Sequence, residues 1–192
     1  MRNNLLTKFT FIFSIVSFII ITRIASAAPH DLKFYAGTGF DYIRYSSNDA
    51  NIKSINAPGF WVPILGVKFC DAVGLEFGYG FNSSVKEKST VKANNAYLDM
   101  IGFIPVLDGV DAVVGVGIGK FIVKKKADIL DEFENKFSWR AKFGAQYNIN
   151  DNLGLRALLI YQNLKNKVKT NTEEIKPFKN MKSLGLSVIW TF

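Results

Sequence analysis

Apolar and polar positions alternate with a period of two along most of the chain beyond residue 31. The last stretch, SLGLSVIWTF, puts Leu184, Leu186, Val188, Trp190 and Phe192 in one set and mostly small or polar residues in the other. Because successive side chains of a strand point to opposite faces, this stretch predicts a strand with one continuous apolar face. Seven further segments repeat the pattern: 32–45, 60–69, 73–81, 97–106, 112–123, 137–148 and 153–162.

The connections between these segments alternate in length. Short ones, at 70–72, 107–111 and 148–152, follow the even segments, and longer polar ones, at 46–59, 82–96, 124–136 and 163–180, follow the odd segments. An even number of strands that are apolar outside and polar or glycine-rich inside, with short turns at one end, is typical of bacterial outer-membrane barrels. Closure leaves no unpaired backbone edge in lipid. We therefore predict an all-β fold, an eight-stranded antiparallel up-and-down transmembrane barrel.

The face opposite the apolar one carries charges, which distinguishes this pattern from a water-soluble barrel. A lipocalin-like barrel would bury its apolar residues inside, whereas here the charged positions share the predicted interior: Lys33, Lys68, Glu76, Asp99, Arg140, Lys142 and Arg156. The register of segment 97–106 is the least certain, and Asp99 favours Leu98, Met100, Ile104 and Val106 as its outward positions. Aromatic residues near both ends of the segments predict two interfacial girdles.

The first residues have the layout of a secretory signal peptide. Two cations precede a thirteen-residue apolar run, 9–21, and Ala25-Ser26-Ala27 fits a cleavage site. We predict a signal peptide at 1–27 and an exported barrel at 28–192, with an uncleaved N-terminal anchor as the alternative, although the apolar run is short for a spanning helix.

The amino-acid composition limits the classes of partner that are expected for this protein. The chain has 24 Lys and Arg against 16 Asp and Glu, and this basic excess favours anionic neighbours such as lipopolysaccharide. The excess is spread along an exported chain, so nucleic acid is not expected. One cysteine, Cys70, excludes an internal disulfide and a cysteine metal cluster, and no cofactor is predicted.

The stretches FYAGTGFDY and VGLEFGYG and the aromatic terminus resemble the small eight-stranded outer-membrane barrels, typified by the OmpA transmembrane domain, OmpX and the opacity-type surface proteins. The resemblance spans about residues 31–192. It implies that the terminal strand, with Leu184, Leu186, Val188, Trp190 and Phe192, is the signal read by the barrel assembly machinery. Enzymatic barrels of this membrane imply a catalytic histidine, and the single histidine here, His30, precedes the first strand. We therefore predict that the protein is not an enzyme.

The interior charges and the loops are the candidate sites. An eight-stranded barrel is filled by side chains, so we predict a paired network in which Glu76 accepts from Arg140 or Arg156. A polar plug is the main interpretation, and a gated path for ions or small solutes is the alternative. The fourth loop is basic through Lys165, Lys167, Lys169, Lys176 and Lys179.

The loops admit two interpretations. Their lysines could hold the surface to anionic lipopolysaccharide, or they could meet an acidic glycan or protein of a host. Several members of the resembling families are adhesins or invasion factors. We predict an outer-membrane surface protein that is structural in the envelope and adheres through its basic loops.

Overall fold

The computed structural model describes residues 32–47, 59–82, 91–125, 132–134, 137–164, 167–169, 174–175 and 178–192. Its strands are β1 (Lys33–Ser47), β2 (Phe60–Cys70), β3 (Val73–Asn82), β4 (Val91–Leu107), β5 (Val110–Lys125), β6 (Glu132–Glu134), β7 (Phe137–Asn148), β8 (Leu153–Asn163), β9 (Lys167–Lys169), β10 (Glu174–Ile175) and β11 (Phe178–Thr191). Among these residues no helix is long and apolar enough to cross a membrane.

Eight of the strands form a closed antiparallel barrel in the order β1-β11-β8-β7-β5-β4-β3-β2. The first and last barrel strands pair from Tyr35 with Thr191 up to Ser47 with Phe178. This pairing removes the two edges that an open sheet would leave. The predicted all-β eight-stranded barrel is confirmed, with short turns at one end, the turn end, and longer connections at the other, the loop end.

Several strands extend further toward the loop end than the sequence predicted. β4 begins at Val91, inside the predicted connection 82–96, and pairs with β5 up to Lys125. The prediction ended these strands where the apolar alternation ended. The physical reason for the difference is that ladder hydrogen bonds are made by the backbone, so a polar stretch such as Asn94–Asn95 continues the strand once its neighbour is in place.

The third and fourth connections contain strands that the alternation of apolar and polar positions did not predict. β6, β9 and β10 form a separate three-stranded sheet in the order β10-β9-β6. Its register sets Lys169 between Glu132 and Glu174, and Lys167 opposite Glu134. Cross-strand positions of opposite charge favour such a pairing. Two lysines of the predicted basic loop, Lys167 and Lys169, are therefore in register with glutamates of the third and fourth loops.

The outer wall of the barrel is apolar, as the alternation predicted. Leu98, Met100, Ile104 and Val106 are all exposed, which confirms the predicted face of the fourth segment. Near the loop end the rings of Trp61 and Phe81 stack at 5.7 Å between centroids. A second outward pair, Trp139 and Tyr161, lies 5.2 Å apart. Aromatic pairs at this height are typical of an interfacial girdle.

The interior is more apolar than predicted. The prediction assigned charged residues and glycine to the inner face, but two buried apolar clusters also lie inside. One contains Tyr35, Ile43, Phe60, Val62, Ile64, Tyr97, Phe121, Leu164, Met181 and Ile189. The other contains Ile101, Phe103, Val113, Leu158 and Ile160. A closed barrel of this size must fill its volume, and apolar side chains do so without needing polar partners.

Glycines create the space for the largest inward side chains. Tyr35 is directly opposite Gly66, and Tyr97 is directly opposite Gly78. A Cβ added at either glycine would overlap the ring of the tyrosine that faces it. The inner face therefore pairs large residues with residues that lack a side chain, and this pairing depends on the register between strands.

We expect Gly78→Ala to destabilise the barrel by about 1–3 kcal/mol, because the new methyl group would displace the Tyr97 ring. Gly154→Ala is the matched control, since its Cβ would meet only the ends of flexible side chains, the nearest at 3.2 Å. Unfolding in urea, followed by tryptophan fluorescence in lipid vesicles, measures both. Equal midpoints for the two variants would contradict this account of the glycines.

Candidate functional site

A cluster of five charged side chains lies inside the barrel, and each is at most 4% exposed: Glu76, Asp99, Arg140, Lys142 and Arg156. Glu76 is at its centre. Its Oε1 accepts from Lys142 Nζ at 2.5 Å, and its Oε2 accepts from Arg156 Nη1 at 2.5 Å. The carboxylate thus has a cation on each oxygen, which compensates the cost of burying its charge.

Arg156 was one of the two partners predicted for Glu76. The other, Arg140, is paired differently: its Nε lies 3.2 Å from Asp99 Oδ2. Lys142 Nζ contacts the same oxygen at 2.8 Å, so Lys142 bridges the two carboxylates. Of the two alternatives predicted for Glu76, Arg156 is the one that the structure has, while Arg140 contacts Asp99, which is opposite Glu76 on the neighbouring strand.

Asp99 and Arg140 are ion-paired by distance but are poorly hydrogen-bonded. Both Asp99 oxygens, and Arg140 Nε and Nη1, make no hydrogen bond of good geometry with the described residues. Arg140 instead lies over the ring of Tyr97, with its Cζ 3.7 Å from the ring centroid. A desolvated guanidinium on an aromatic face is stabilised by the negative face of the ring.

Uncharged polar residues, which were not among the site residues predicted from the sequence, complete the cluster. The Tyr35 hydroxyl donates to Glu76 Oε2 at 3.1 Å. Gln146 Oε1 accepts from Arg156 Nε and Nη2 at 2.9 and 2.8 Å. Toward the loop end, Asn95 donates to Gln162, which donates to Ser138. The signal that could have found these residues is their inward parity, which all of them share with the charged set.

Two of the predicted interior charges do not belong to this cluster. Lys33 is exposed near the turn end, where its Nζ pairs with Asp71 at 3.0 Å. Lys68 is half-buried, with its Nζ 4.1 Å from the centroid of the Phe103 ring. Both lysines have the inward parity that the prediction used. They lie within three residues of a strand end, however, where an inward side chain reaches the barrel mouth rather than its centre.

An open cavity of about 640 Å³ occupies the mouth at the turn end. Lys33, Lys68, Asp111 and Asn148 line it, and Gln146 forms part of its boundary next to the charged cluster. Asn148 Nδ2 donates to Asp111 Oδ2 at 2.9 Å. Water therefore has room to approach the cluster from this end. Within the described residues, no group of three or more histidine, cysteine, aspartate or glutamate side chains is placed to hold a metal ion.

The predicted loop residues are only partly within the described structure. Lys165 and Lys176 lie outside the described residues, as do His30 and the predicted leader. Lys167 and Lys169 form β9 in the loop sheet, and Lys179 is exposed near the start of β11. The predicted outward set of the terminal strand is exposed throughout: Leu184, Leu186, Val188, Trp190 and Phe192.

The barrel geometry agrees with the comparison to known families. The sequence model described as "Outer membrane protein beta-barrel domain" matches residues 13–192. The chain belongs to this outer-membrane β-barrel family. As a member it resides in the bacterial outer membrane, with the turn end toward the periplasm and the loop end toward the outside.

Solved structures of other outer-membrane barrels share the fold. Neisserial surface protein A matches with a TM-score of 0.64 and 15% identity, over 85% of this chain and 100% of its own. Ail of Yersinia pestis matches with a TM-score of 0.57 and 15% identity, over 85% and 100%. The N-terminal barrel of Pseudomonas aeruginosa OprF gives 0.56 and 17%, over 82% and 97%. No curated protein sequence matches the chain.

We expect Glu76→Gln to destabilise this outer-membrane barrel by about 3–5 kcal/mol, because it leaves Lys142 and Arg156 buried without the charge that both contact. Asp71→Asn is the control, since it removes the carboxylate of an exposed pair, and such pairs contribute little. Urea unfolding in vesicles compares the two. A Glu76→Gln midpoint as high as that of Asp71→Asn would show that the cluster does not stabilise the fold.

Proposed function

We propose that this protein is a non-enzymatic surface barrel whose interior is closed by a polar plug and whose extracellular loops bind polyanions, in adhesion to a host surface or within the envelope. The observation that carries the proposal is the contrast between the interior of the barrel and its loops. Each of the three cations of the interior cluster contacts a buried carboxylate, with Glu76 holding two of them, and all of these side chains are at most 4% exposed. We infer that the positive charge accessible to a ligand is that of the loops rather than that of the lumen.

The plug is supported by burial and by packing. Five charged side chains fill the middle of the barrel at 4% exposure or less. On the loop side, buried Phe60 and Phe121 pack edge to face with their centroids 6.4 Å apart. A filled apolar layer above a paired polar layer disfavours a continuous path of water through the barrel. This arrangement favours a structural interior.

The loop sheet supports recognition by the third and fourth loops together. Because β9 lies between β6 and β10, the two loops share one backbone framework. Lys167 and Lys169 are in register with glutamates of that sheet, so we assign them to holding the sheet. We therefore assign polyanion binding mainly to Lys165, Lys176 and the exposed Lys179.

A barrel of the same fold has been solved with a polyanion. Ail of Yersinia pestis was crystallised in complex with sucrose octasulfate, a heparin analogue. At 15% identity this likeness concerns the fold. It supports the proposal only in that a barrel of this fold binds a sulfated sugar.

We expect Lys165/Lys176/Lys179→Gln to reduce binding of barrel-displaying bacteria to immobilised heparin by about tenfold at low salt, at roughly 1 kcal/mol or less for each lysine lost. Binding of the unmodified barrel should fall steeply as salt rises, since exposed charges are screened. Surface display of each variant is quantified first, so that loss of export is not mistaken for loss of binding.

Two matched variants make this test specific. Lys86/Lys88/Lys92→Gln removes the same charge from the second loop and should retain binding. Lys167/Lys169→Gln should lower the stability of the loop sheet more than it lowers binding at saturating heparin. If displaying and empty cells bind heparin alike, or if the second-loop variant loses as much, the fourth-loop proposal is rejected.

A gated ion path is the second candidate function. The observation that favours it is Lys142, which contacts Glu76 and Asp99 at 2.5 and 2.8 Å and so has two alternative partners. The open cavity at the periplasmic mouth ends at Gln146, which is bonded to Arg156 of the same cluster. A shift of Lys142 toward one carboxylate would loosen the plug.

Under this candidate we expect discrete conductance steps in planar bilayers, enlarged by Arg140→Ala, which shortens a side chain of the plug. Leu159→Ala is the control, because Leu159 is on the lipid-facing wall and is exposed there. Absence of steps in the unmodified barrel and in Arg140→Ala rejects the channel and leaves the closed plug.

We also propose that residues 1–27 are a leader removed on export and that β11 is the segment recognised by the barrel assembly machinery. The second proposal is supported by the position of β11, which pairs with both β1 and β8 and so completes the barrel. Its outward residues, from Leu184 to Phe192, form an uninterrupted apolar row.

A further inference from the structure

The open cavity at the turn end has a basic wall and an acidic wall. Lys33 of β1 and Lys68 of β2 are directly opposite each other in register, and both line the cavity. Asp111 of β5 and Asn148 of β7 line it from the far side, because β7 is diametrically opposite β2 in the ring of eight strands. The cavity therefore separates a positive side from a negative side across the mouth of the barrel.

One cation and one anion of this cavity have no ion pair among the described residues. Lys33 Nζ is paired with Asp71 at 3.0 Å, so the charges of these two side chains offset each other. Lys68 is half-buried, and none of the ion pairs within the described part of the chain includes it. Asp111 is half-buried too, and its partner is Asn148, an uncharged donor. A partly desolvated charge without a counter-ion gains free energy from a ligand of opposite charge.

The floor of the cavity closes it against the charged cluster. The centroid of the Phe103 ring is 4.1 Å from Lys68 Nζ and 5.6 Å from Arg156 Cζ, and Phe103 is only 2% exposed. Buried Gln146 completes the floor, since its Oε1 accepts from Arg156 of the cluster. The cavity is thus a cup that opens to the periplasm, and a binding site in it does not depend on whether the plug conducts.

Side-chain amides on the acidic wall offer hydrogen bonds to a neighbouring molecule. Gln146 Nε2 donates to Asn148 Oδ1 at 2.7 Å, and Asn148 Nδ2 donates to Asp111 Oδ2 at 2.9 Å. A side-chain amide has two N–H donors and a carbonyl oxygen with two lone pairs, so these bonds use only part of the capacity of Asn148. The wall that carries the unpaired carboxylate can therefore also bond to an amide group of a ligand.

We propose that this cavity binds a short peptide of two or three residues with free termini, its carboxylate at Lys68 and its ammonium at Asp111. A zwitterion supplies both counter-charges at once, whereas an anion or a cation alone leaves one of the two side chains unpaired. The volume of about 640 Å³ is within the range of small-molecule pockets. Two or three extended residues span roughly 7–10 Å, a length that lets one molecule contact both walls of a narrow barrel. The site is separate from the loop lysines and does not rest on the proposed adhesion.

Titration of the isotope-labelled barrel in detergent micelles with the dipeptide Ala-Ala measures the binding by nuclear magnetic resonance, and the side-chain amide signals of Gln146 and Asn148 report its location. We expect saturable shifts of these signals. N-acetyl-Ala-Ala lacks the ammonium and Ala-Ala-amide lacks the carboxylate, so each should bind about tenfold more weakly because one charge-assisted contact is lost. N-acetyl-Ala-Ala-amide carries neither charge and should bind most weakly of the four probes.

Two variants assign each terminus of the peptide to its wall. Lys68→Gln should weaken the binding of Ala-Ala about tenfold but leave that of Ala-Ala-amide unchanged, since this probe has no carboxylate. Asp111→Asn should weaken Ala-Ala to a similar extent but leave N-acetyl-Ala-Ala unchanged, since this probe has no ammonium. Lys120→Gln and Asp108→Asn make the same charge changes at residues that do not line the cavity, and both should bind every probe as the unmodified barrel does.

The four probes test the proposal on the unmodified barrel, so it stays testable even where a variant fails to fold. Equal binding of all four, or no shift of the Gln146 and Asn148 signals, overturns it. If Lys68→Gln or Asp111→Asn weakens every probe alike, that residue shapes the cavity without contacting a terminus, and the proposal is rejected. Tighter binding of glycerophosphoethanolamine than of Ala-Ala would replace the peptide by a phospholipid headgroup. Circular dichroism and the migration of unheated samples on gels establish that each variant is a folded barrel.

Discussion

The pairing of β1 with β11 is the contact on which the rest of the molecule depends. In lipid an unpaired backbone N–H or C=O group cannot hydrogen-bond to water. A strand edge in the hydrocarbon region therefore costs far more free energy than one at the surface of a water-soluble protein. Thirteen residues of β1, from Tyr35 to Ser47, are registered on β11. Closing the sheet this way fixes the wall, and it also fixes a narrow interior that side chains must fill.

Filling that interior explains the composition of the inner face. Tyrosine, arginine and lysine at inward positions are too large for a ring of eight strands unless their cross-strand neighbours are small. Lys142 is registered with Gly115, and Asp99 with Gly117. Once placed, the charges must be matched, and Glu76 and Asp99 divide Arg140, Lys142 and Arg156 between them. Packing and electrostatics are thus satisfied by the same register.

Charged residues are paired differently inside the barrel, on its outer wall and in the loops. Inside the barrel every cation of the central cluster contacts a carboxylate, because a buried unpaired charge is prohibitively costly. On the outer wall Arg44 and Lys182 are exposed and directly opposite each other, with no ion pair to a carboxylate of the described residues. In the loops, Lys167 and Lys169 stand in register with glutamates of the loop sheet.

The sequence by itself determined the class of fold, because eight segments with a period of two, joined by alternating short and long connections, are typical of a closed barrel in lipid. It also determined the face that most residues of the barrel strands take, including Leu98 and Met100 of the fourth segment. Strand ends, the loop sheet and the partners of each charge were decided only by the tertiary structure. Parity tells whether Arg140 points inward, but its partner depends on which residue of the next strands stands at the same height. That height is set by the stagger of eight strands around a closed ring, a property that no single segment contains.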